Sequence, residues 1–262
     1  MSDASASSGP DVAWPSLATV VPVFNEEAGI ERSCRAIAAV VRRYPGRAIV
    51  IAVDDGSADS SAAILTDLER EIEELQVCRH EANAGYGAAL RTGAKRAAEL
   101  GFEYVAFIDS DLTNPPEDLL KIGALAGGGH AYIKGSRFVD GGGMGSVPVR
   151  RRAFSEAGNT IARILFGTRL RDVTNGFRAV RTDLFLSWPL RERGFPVIVE
   201  ELDWALRSEV EPVEFPTILT SREGEQRQSS FPYTPEVVLS YLRYPMRARW
   251  RRVQRAMKRR ST

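Results

Sequence analysis

The chain holds 262 residues, of which 44% are hydrophobic and 26% charged, and its formal net charge is +1. These proportions suit a globular protein with one sizeable α/β domain, or a domain with a small appendage. Two histidines, two cysteines and no CxxC or HExxH leave little material for a structural zinc site, a histidine-built metal site or a Ser-His-Asp triad.

Residues 1–15, MSDASASSGPDVAWP, are small and polar, lack the basic start and apolar core of a signal peptide, and read as a disordered tail. Leu17 to Phe24 is a strand-length apolar run ended by the turn-prone Asn25. From Glu26 to Tyr44 the apolar residues Ile30, Cys34, Ile37, Val41 and Tyr44 recur at helical spacing, with Glu26 and Glu27 suited to the positive end of the helix dipole. Ala48 to Val53 is a near-continuous apolar strand, as a parallel sheet covered on both faces requires, and it runs into Asp54-Asp55-Gly56-Ser57. A helix from about Ser60 to Leu75, a short strand Leu75 to Arg79, a helix Ala88 to Leu100 and a strand Glu103 to Ile108 follow. Cys34 falls in a helix and Cys78 in a strand, so both are expected as free thiols.

Beyond Gly127, glycine runs at 127–129 and 141–143 flank a short strand, Tyr132 to Ser136, and arginines occupy 150–152. Asn159 to Phe166 reads as a helix, another starts near Glu200, and Val213 to Leu219 reads as a late strand. No run of about eighteen apolar residues exists, so no spanning helix is expected and the body is expected to be cytosolic. From Tyr241 to Thr262 there are nine Arg or Lys and no Asp or Glu, mixed with Leu242, Met246 and Trp250. Such a segment, with its helix interrupted at Pro245, suits an anionic surface and above all a membrane interface, the alternative being a basic helix packed on its own domain or frayed. Three stretches result: the tail 1–15, one domain 16–232, and a basic amphipathic segment 233–262.

The repeated strand–turn–helix order implies an α/β, doubly wound, mainly parallel sheet with helices on both faces. Ligands in such sheets bind beyond the carboxyl ends of the strands, where Asn25, Asp55 and Asp109 converge. Asp109-Ser110-Asp111 can hold a divalent cation through one carboxylate while the other positions it or its waters, and Mg²⁺ and Mn²⁺ favour oxygen ligands. The alternative is a solvated loop whose Asp caps the helix at Pro115-Pro116-Glu117. The strand before the cluster and the acidic end of the Asp54-Asp55 strand favour the metal.

Four segments in order, Pro22-Val23-Phe24-Asn25-Glu26-Glu27, Val53-Asp54-Asp55-Gly56-Ser57, Gly85-x-Gly87-Ala88 and Ile108-Asp109-Ser110-Asp111-Leu112, resemble the motifs of family-2 glycosyltransferases with the GT-A fold. Gly135-Ser136-Arg137 and Asp172-Val173-Thr174-Asn175-Gly176-Phe177-Arg178 resemble the branch of dolichol-phosphate mannose synthase and the polyprenyl-phosphate glycosyltransferases. The resemblance implies that Pro22, Phe24 and Glu26 line a donor nucleoside pocket, with Val53 and Asp55 against the base. Asp109, Ser110 and Asp111 would take Mg²⁺ or Mn²⁺ and the diphosphate of a UDP- or GDP-linked sugar. Arg137, Arg151 and Arg178 would meet phosphates, Arg178 alternatively pairing with Asp172, because a guanidinium fork matches phosphate oxygens. Relatives close over the donor with a late R-x-x-G-x-S-K motif, for which Arg222 and Arg227 stand here with a shift.

The resemblance implies inverting displacement at the anomeric carbon, with Asp111 and Arg137 among the catalytic groups. A lipid phosphate acceptor is already anionic, whereas a sugar hydroxyl needs a carboxylate to take its proton, and Glu201 resembles the residue that supplies it. A polyprenyl phosphate acceptor and peripheral attachment to the inner face of the cell membrane are the favoured expectation, with no nucleic-acid partner. A hydroxyl-using family-2 enzyme is the second reading. A non-catalytic nucleotide-binding module or nucleotidyltransferase is the third.

Overall fold

The computed structural model describes residues 13–145, 147–220 and 235–260. Within them the chain runs β1 (Leu17–Val23), α1 (Ile30–Val41), β2 (Ala48–Asp54), α2 (Ser61–Glu71), β3 (Leu75–Arg79), α3 (Tyr86–Glu99), β4 (Tyr104–Phe107) and α4 (Asp118–Gly127). It continues through β5 (Tyr132–Ser136), α5 (Val149–Phe166), β6 (Arg178–Arg181), α6 (Thr182–Ser187), α7 (Val197–Arg207), β7 (Val213–Pro216) and α8 (Pro235–Arg260). The strands form one seven-stranded sheet in the order β3-β2-β1-β4-β6-β5-β7. All neighbouring pairs are parallel except those of β6, which runs antiparallel to both β4 and β5. This is the α/β doubly wound GT-A arrangement the motifs imply.

Alternation along the strands divides the core in two. Ala18 and Val20 of β1 point into one apolar layer with Leu90, Phe107 and Val199, while Leu17, Val21 and Val23 point into the other with Ile30, Ile37 and Leu65. Helices α3, α5, α6, α7 and α8 contribute to the first layer, and α1, α2 and α4 to the second. α3 comes especially close to β1, because Gly93 presents no side chain to Val20.

Several boundaries shift for physical reasons. Residues 26–29 form a turn before α1, because the helix cannot start until the loop's amides have met Ser57 and Ser61. α5 starts ten residues ahead of the expected Asn159, through an Arg-rich stretch whose outward face carries no apolar periodicity signal. β6 was not expected: its four residues, Arg-Ala-Val-Arg, are too short and too charged to stand out. Residues 1–12 lie outside the described residues, but Trp14 does not belong to a loose tail. It packs edge-on to Tyr44 at 5.1 Å between ring centroids, and the Tyr44 hydroxyl donates to the Pro15 carbonyl at 2.8 Å.

α8 runs unbroken through Pro245, contrary to the expected interruption. Proline removes one helical N–H, yet Tyr244 and Ala248 beside it are buried against the body, so tertiary packing holds the helix. Cys34 and Cys78 are free, and burial pushes the Cys34 thiol up to about 12. No described helix is long and apolar enough to cross a membrane.

Candidate active site

The carboxyl ends of β1, β2 and β4 are tied into one rim. The Asn25 amide donates to Ser57 Oγ at 3.0 Å, and the Ala58 amide donates back to Asn25 Oδ1 at 2.8 Å. Asn25 adopts a left-handed φ of 55°, which a short polar side chain tolerates best. The Glu26 amide donates to Ser61 Oγ at 2.8 Å. Pro22 and Glu26 are half-buried on this rim, and Phe24 stands exposed.

Val53 and Asp55 lie at the end of β2, both buried. Strand alternation sends Val53 into the core, where it is fully buried. Asp55 is also buried, and its two oxygens accept the Ala84 and Gly85 amides, each at 2.8 Å. His80 Nδ1 lies 2.7 Å from the same carboxylate, and His80 Nε2 lies 2.8 Å from Thr92 Oγ1. Asp55 therefore fastens the turn before α3 to the end of β2.

That turn delivers Tyr86, which the sequence reading overlooked. Its hydroxyl donates to Asp109 Oδ1 at 3.0 Å, and its ring lies 4.5 Å from that of Phe195. Burial and the Asp109 charge raise the Tyr86 pKa well above its usual value, so the phenol stays a donor. Gly87 donates its amide to the Arg193 carbonyl at 2.7 Å, and a Cβ at Gly85 would stand 2.4 Å from that same oxygen. Glycine at 85, with φ 99°, and at 87 is what lets this loop seat against residues 192–195.

Asp109 and Asp111 are half-buried at the end of β4, and the Ser110 carbonyl between them accepts Ser33 Oγ of α1 at 2.5 Å. Asp111 Oδ1 receives the Thr113 amide at 3.0 Å and its hydroxyl at 2.9 Å. Leu112 carries a left-handed φ of 53°, a strained conformation for a branched apolar residue. Thr220 donates its amide to the Thr113 carbonyl and its hydroxyl to the Leu112 carbonyl, both at 2.9 Å. The chain thus passes the acidic loop directly before Arg222 and Arg227, which lie outside the described residues.

Among the described residues no three His, Cys, Asp or Glu gather as a complete metal cage. Two carboxylates flanking a serine still fit Mg²⁺ or Mn²⁺. Such ions are commonly held by one or two carboxylates, with substrate phosphates and water supplying the rest.

Beneath the acidic loop lies a charged network. Antiparallel β6 opens with Arg178 opposite Phe107 of β4 and Lys134 of β5, at the same sheet end as Asp109. Arg178 pairs with Glu201 rather than Asp172: its Nε and Nη2 donate to the two Glu201 oxygens at 2.7 and 2.5 Å, and both side chains are fully buried. The guanidinium also lies 4.6 Å over the Phe107 ring and donates to the Gly176 carbonyl at 2.7 Å. Glu201, expected as a possible base, spends both oxygens on this pair and offers neither to a substrate. Its neighbours on α7 are committed too, Glu200 to the amides of Arg191 and Glu192 and Asp203 to Arg251.

Asp172 is instead the partner of Arg137, accepting Nε at 2.6 Å and Nη2 at 2.8 Å, and Arg137 Nη2 also donates to Thr174 Oγ1 at 2.9 Å. Arg137 is therefore oriented by its pair. Its charge holds the Asp172 carboxyl below the usual range despite the opposing effect of burial. Lys134 is fully buried and donates to the Asn175 carbonyl. Burial first, and the Arg178 charge second, bring its pKa down to about 7. Arg151 sits exposed in the first turns of α5.

Residues 19–187 match the sequence profile described as Glycosyl transferase family 2. The chain is 28% identical over 209 residues to a polyprenol monophosphomannose synthase of Mycolicibacterium smegmatis, covering 78% of this chain and 77% of that one. It is 27% identical over 235 residues to an undecaprenyl-phosphate mannosyltransferase of Micrococcus luteus, covering 88% and 95% respectively. In fold it is similar to glucosyl-3-phosphoglycerate synthase from Mycobacterium tuberculosis, solved with Mn²⁺, uridine-diphosphate and glucosyl-3-phosphoglycerate. There the TM-score is 0.65 at 20% identity, covering 89% of this chain and 80% of that one.

Proposed function

From its membership of glycosyl transferase family 2, to which the chain belongs, we propose that this glycosyltransferase moves a sugar from a nucleotide diphosphate donor to a polyprenyl phosphate. The observation that carries the acceptor is the sealed Arg178–Glu201 pair. With Glu201 so engaged and Glu200 and Asp203 likewise occupied, α7 presents no carboxylate to deprotonate a hydroxyl. A phosphate monoester needs none, because it arrives already anionic. Two relatives with similar lengths of matching chain bear names that specify polyprenyl-type phosphate acceptors.

In this reading Asp109 and Asp111 hold the divalent ion, which when bound neutralises charge on the donor diphosphate. Tyr86 orients the Asp109 carboxylate by donating to one of its oxygens. Phe24, Pro22 and Glu26 form the rim against which the nucleoside lies, and Asp55 acts through the turn it fastens. Arg137, held flat by Asp172 and Thr174, faces the phosphates together with Arg151, and Arg222 and Arg227 belong to the segment that follows the Thr220 anchor. The charge developing on the departing diphosphate is where such preorganised groups contribute most to rate. The enzyme acts peripherally at a membrane surface.

The test is transfer from UDP- and GDP-linked sugars, with Mn²⁺ or Mg²⁺, to a short polyprenyl phosphate and to hydroxyl acceptors in parallel. Transfer to the phosphate alone, lost by about a thousandfold or more in Asp111→Ala with the fold retained, is the expected result. Transfer confined to hydroxyl acceptors would overturn the acceptor reading.

A further inference from the structure

α8 packs on the body by one side and shows another to the outside. Tyr244 and Ala248 are 6% and 7% exposed, whereas Leu239, Met246, Trp250, Val253 and Met257 are 63%, 55%, 63%, 39% and 64% exposed. The exposed five are separated by seven, four, three and four positions, which places them on one stripe opposite the buried side. A stripe of large apolar side chains facing water on a helix this basic is the pattern of a helix lying in a bilayer surface.

Between that stripe and α7 lies a cleft of about 380 Å³, lined by five arginines and only two carboxylates, Glu200 and Asp203. Both carboxylates are engaged, Glu200 by backbone amides and Asp203 by Arg251, and Arg243 is engaged by Glu192. Arg207 and Arg247 make no hydrogen bond or ion pair with a described residue, although both charges act on Asp203 across the cleft. Instead they lie over aromatic rings, Arg207 at 3.8 Å from the Trp204 centroid and Arg247 at 6.0 Å from that of Tyr244. A guanidinium over a ring keeps its N–H edge available, and that edge matches the oxygens of a phosphate.

We propose that this α7–α8 cleft receives the phosphate of an anionic phospholipid headgroup while the outer stripe of α8 lies among the acyl chains' upper segments. The occupant follows from charge complementarity beside an apolar stripe. A nucleic acid would satisfy the arginines but leave Met246, Trp250 and Met257 in water. The site extends the peripheral membrane reading and does not depend on which acceptor receives the sugar.

Co-flotation of the full chain with phosphatidylcholine vesicles, with and without phosphatidylglycerol, tests it. The wild type is expected to favour the phosphatidylglycerol vesicles by about tenfold or more. Arg207→Gln/Arg247→Gln should lose most of that preference, and Met246→Gln/Trp250→Gln should lose flotation with both vesicles, each with an unchanged thermal midpoint. Flotation of the arginine variant with undiminished phosphatidylglycerol preference would overturn the proposal. So would tight capture by single-stranded RNA that the stripe variant retains. Transfer to detergent-dispersed polyprenyl phosphate should persist in the arginine variant, which separates failure of this site from failure of the acceptor assignment.

Discussion

Single side chains decide the chemistry at the end of β4, and the sequence revealed them unevenly. Asp109 and Asp111 announce themselves as a carboxylate pair after a strand, but Tyr86 does not, because nothing in a Gly-Tyr-Gly turn says where its hydroxyl points. On the proposed reading, Tyr86→Phe should raise the Mn²⁺ concentration giving half-maximal transfer by about tenfold with little change in thermal midpoint, since a ligand's orienting partner commonly contributes that much. Lys134 was equally hidden, an ordinary-looking residue in a short strand. Its pKa lies near 7 when folded, against about 10.4 in an open chain, so between those values the unfolded chain binds more protons. Stability should therefore rise with pH above about 7, by at most about 1.4 kcal/mol per pH unit. Below that point Lys134 is charged in both states and the dependence vanishes. Above about pH 9 the raised Cys34 thiol opposes the gain, because the unfolded thiol loses its proton first. Lys134→Met should flatten the pH 7–9 segment of a denaturation series; a slope that survives the substitution would assign it elsewhere.

Elements were legible where apolar period was strong. β1, β2, β3 and β5 fall where alternation and short apolar runs place them, whereas β6 and the first half of α5 escaped because charge masks their period. At Pro245 local propensity says stop, but the burial of Tyr244 and Ala248 prevails. The contact of α3 with β1 depends on Gly93, where an added Cβ would lie 2.4 Å from Val20 Cγ1. Gly93→Ala should destabilise by about 1–3 kcal/mol despite alanine's better helix propensity, because the helix must retreat from the sheet. Chemical denaturation measures this directly, and a stabilised variant would show that α3 has slack.

For the whole molecule, the parallel class of the sheet followed from strand–turn–helix repetition, and with it the edge on which the proposed site lies, since parallel strands place their carboxyl ends on one edge; the strand order, with antiparallel β6 inside it, did not. What repetition could not convey was the pairing of charges far apart in sequence, such as Arg137 with Asp172 and Arg178 with Glu201. On the proposed reading, a donor bound across that edge would draw together β1, β2, β4 and the loops between them. UDP or GDP with Mn²⁺, whichever the site accepts, should raise the thermal midpoint by several degrees, because a ligand at a hundred times its Kd adds about 2.7 kcal/mol. Asp109→Asn should abolish the metal-dependent part of that rise.

The Arg178–Glu201 pair has a consequence for how the sequence can change over generations. Loss of either partner strands a buried charge, at a cost of about 3–5 kcal/mol, whereas replacing both with well-packed apolar residues is often close to neutral. The two positions form one heritable unit although 23 residues separate them. Drift there has to proceed by paired steps or not at all, and a library that varies one position alone should recover almost nothing but the parent.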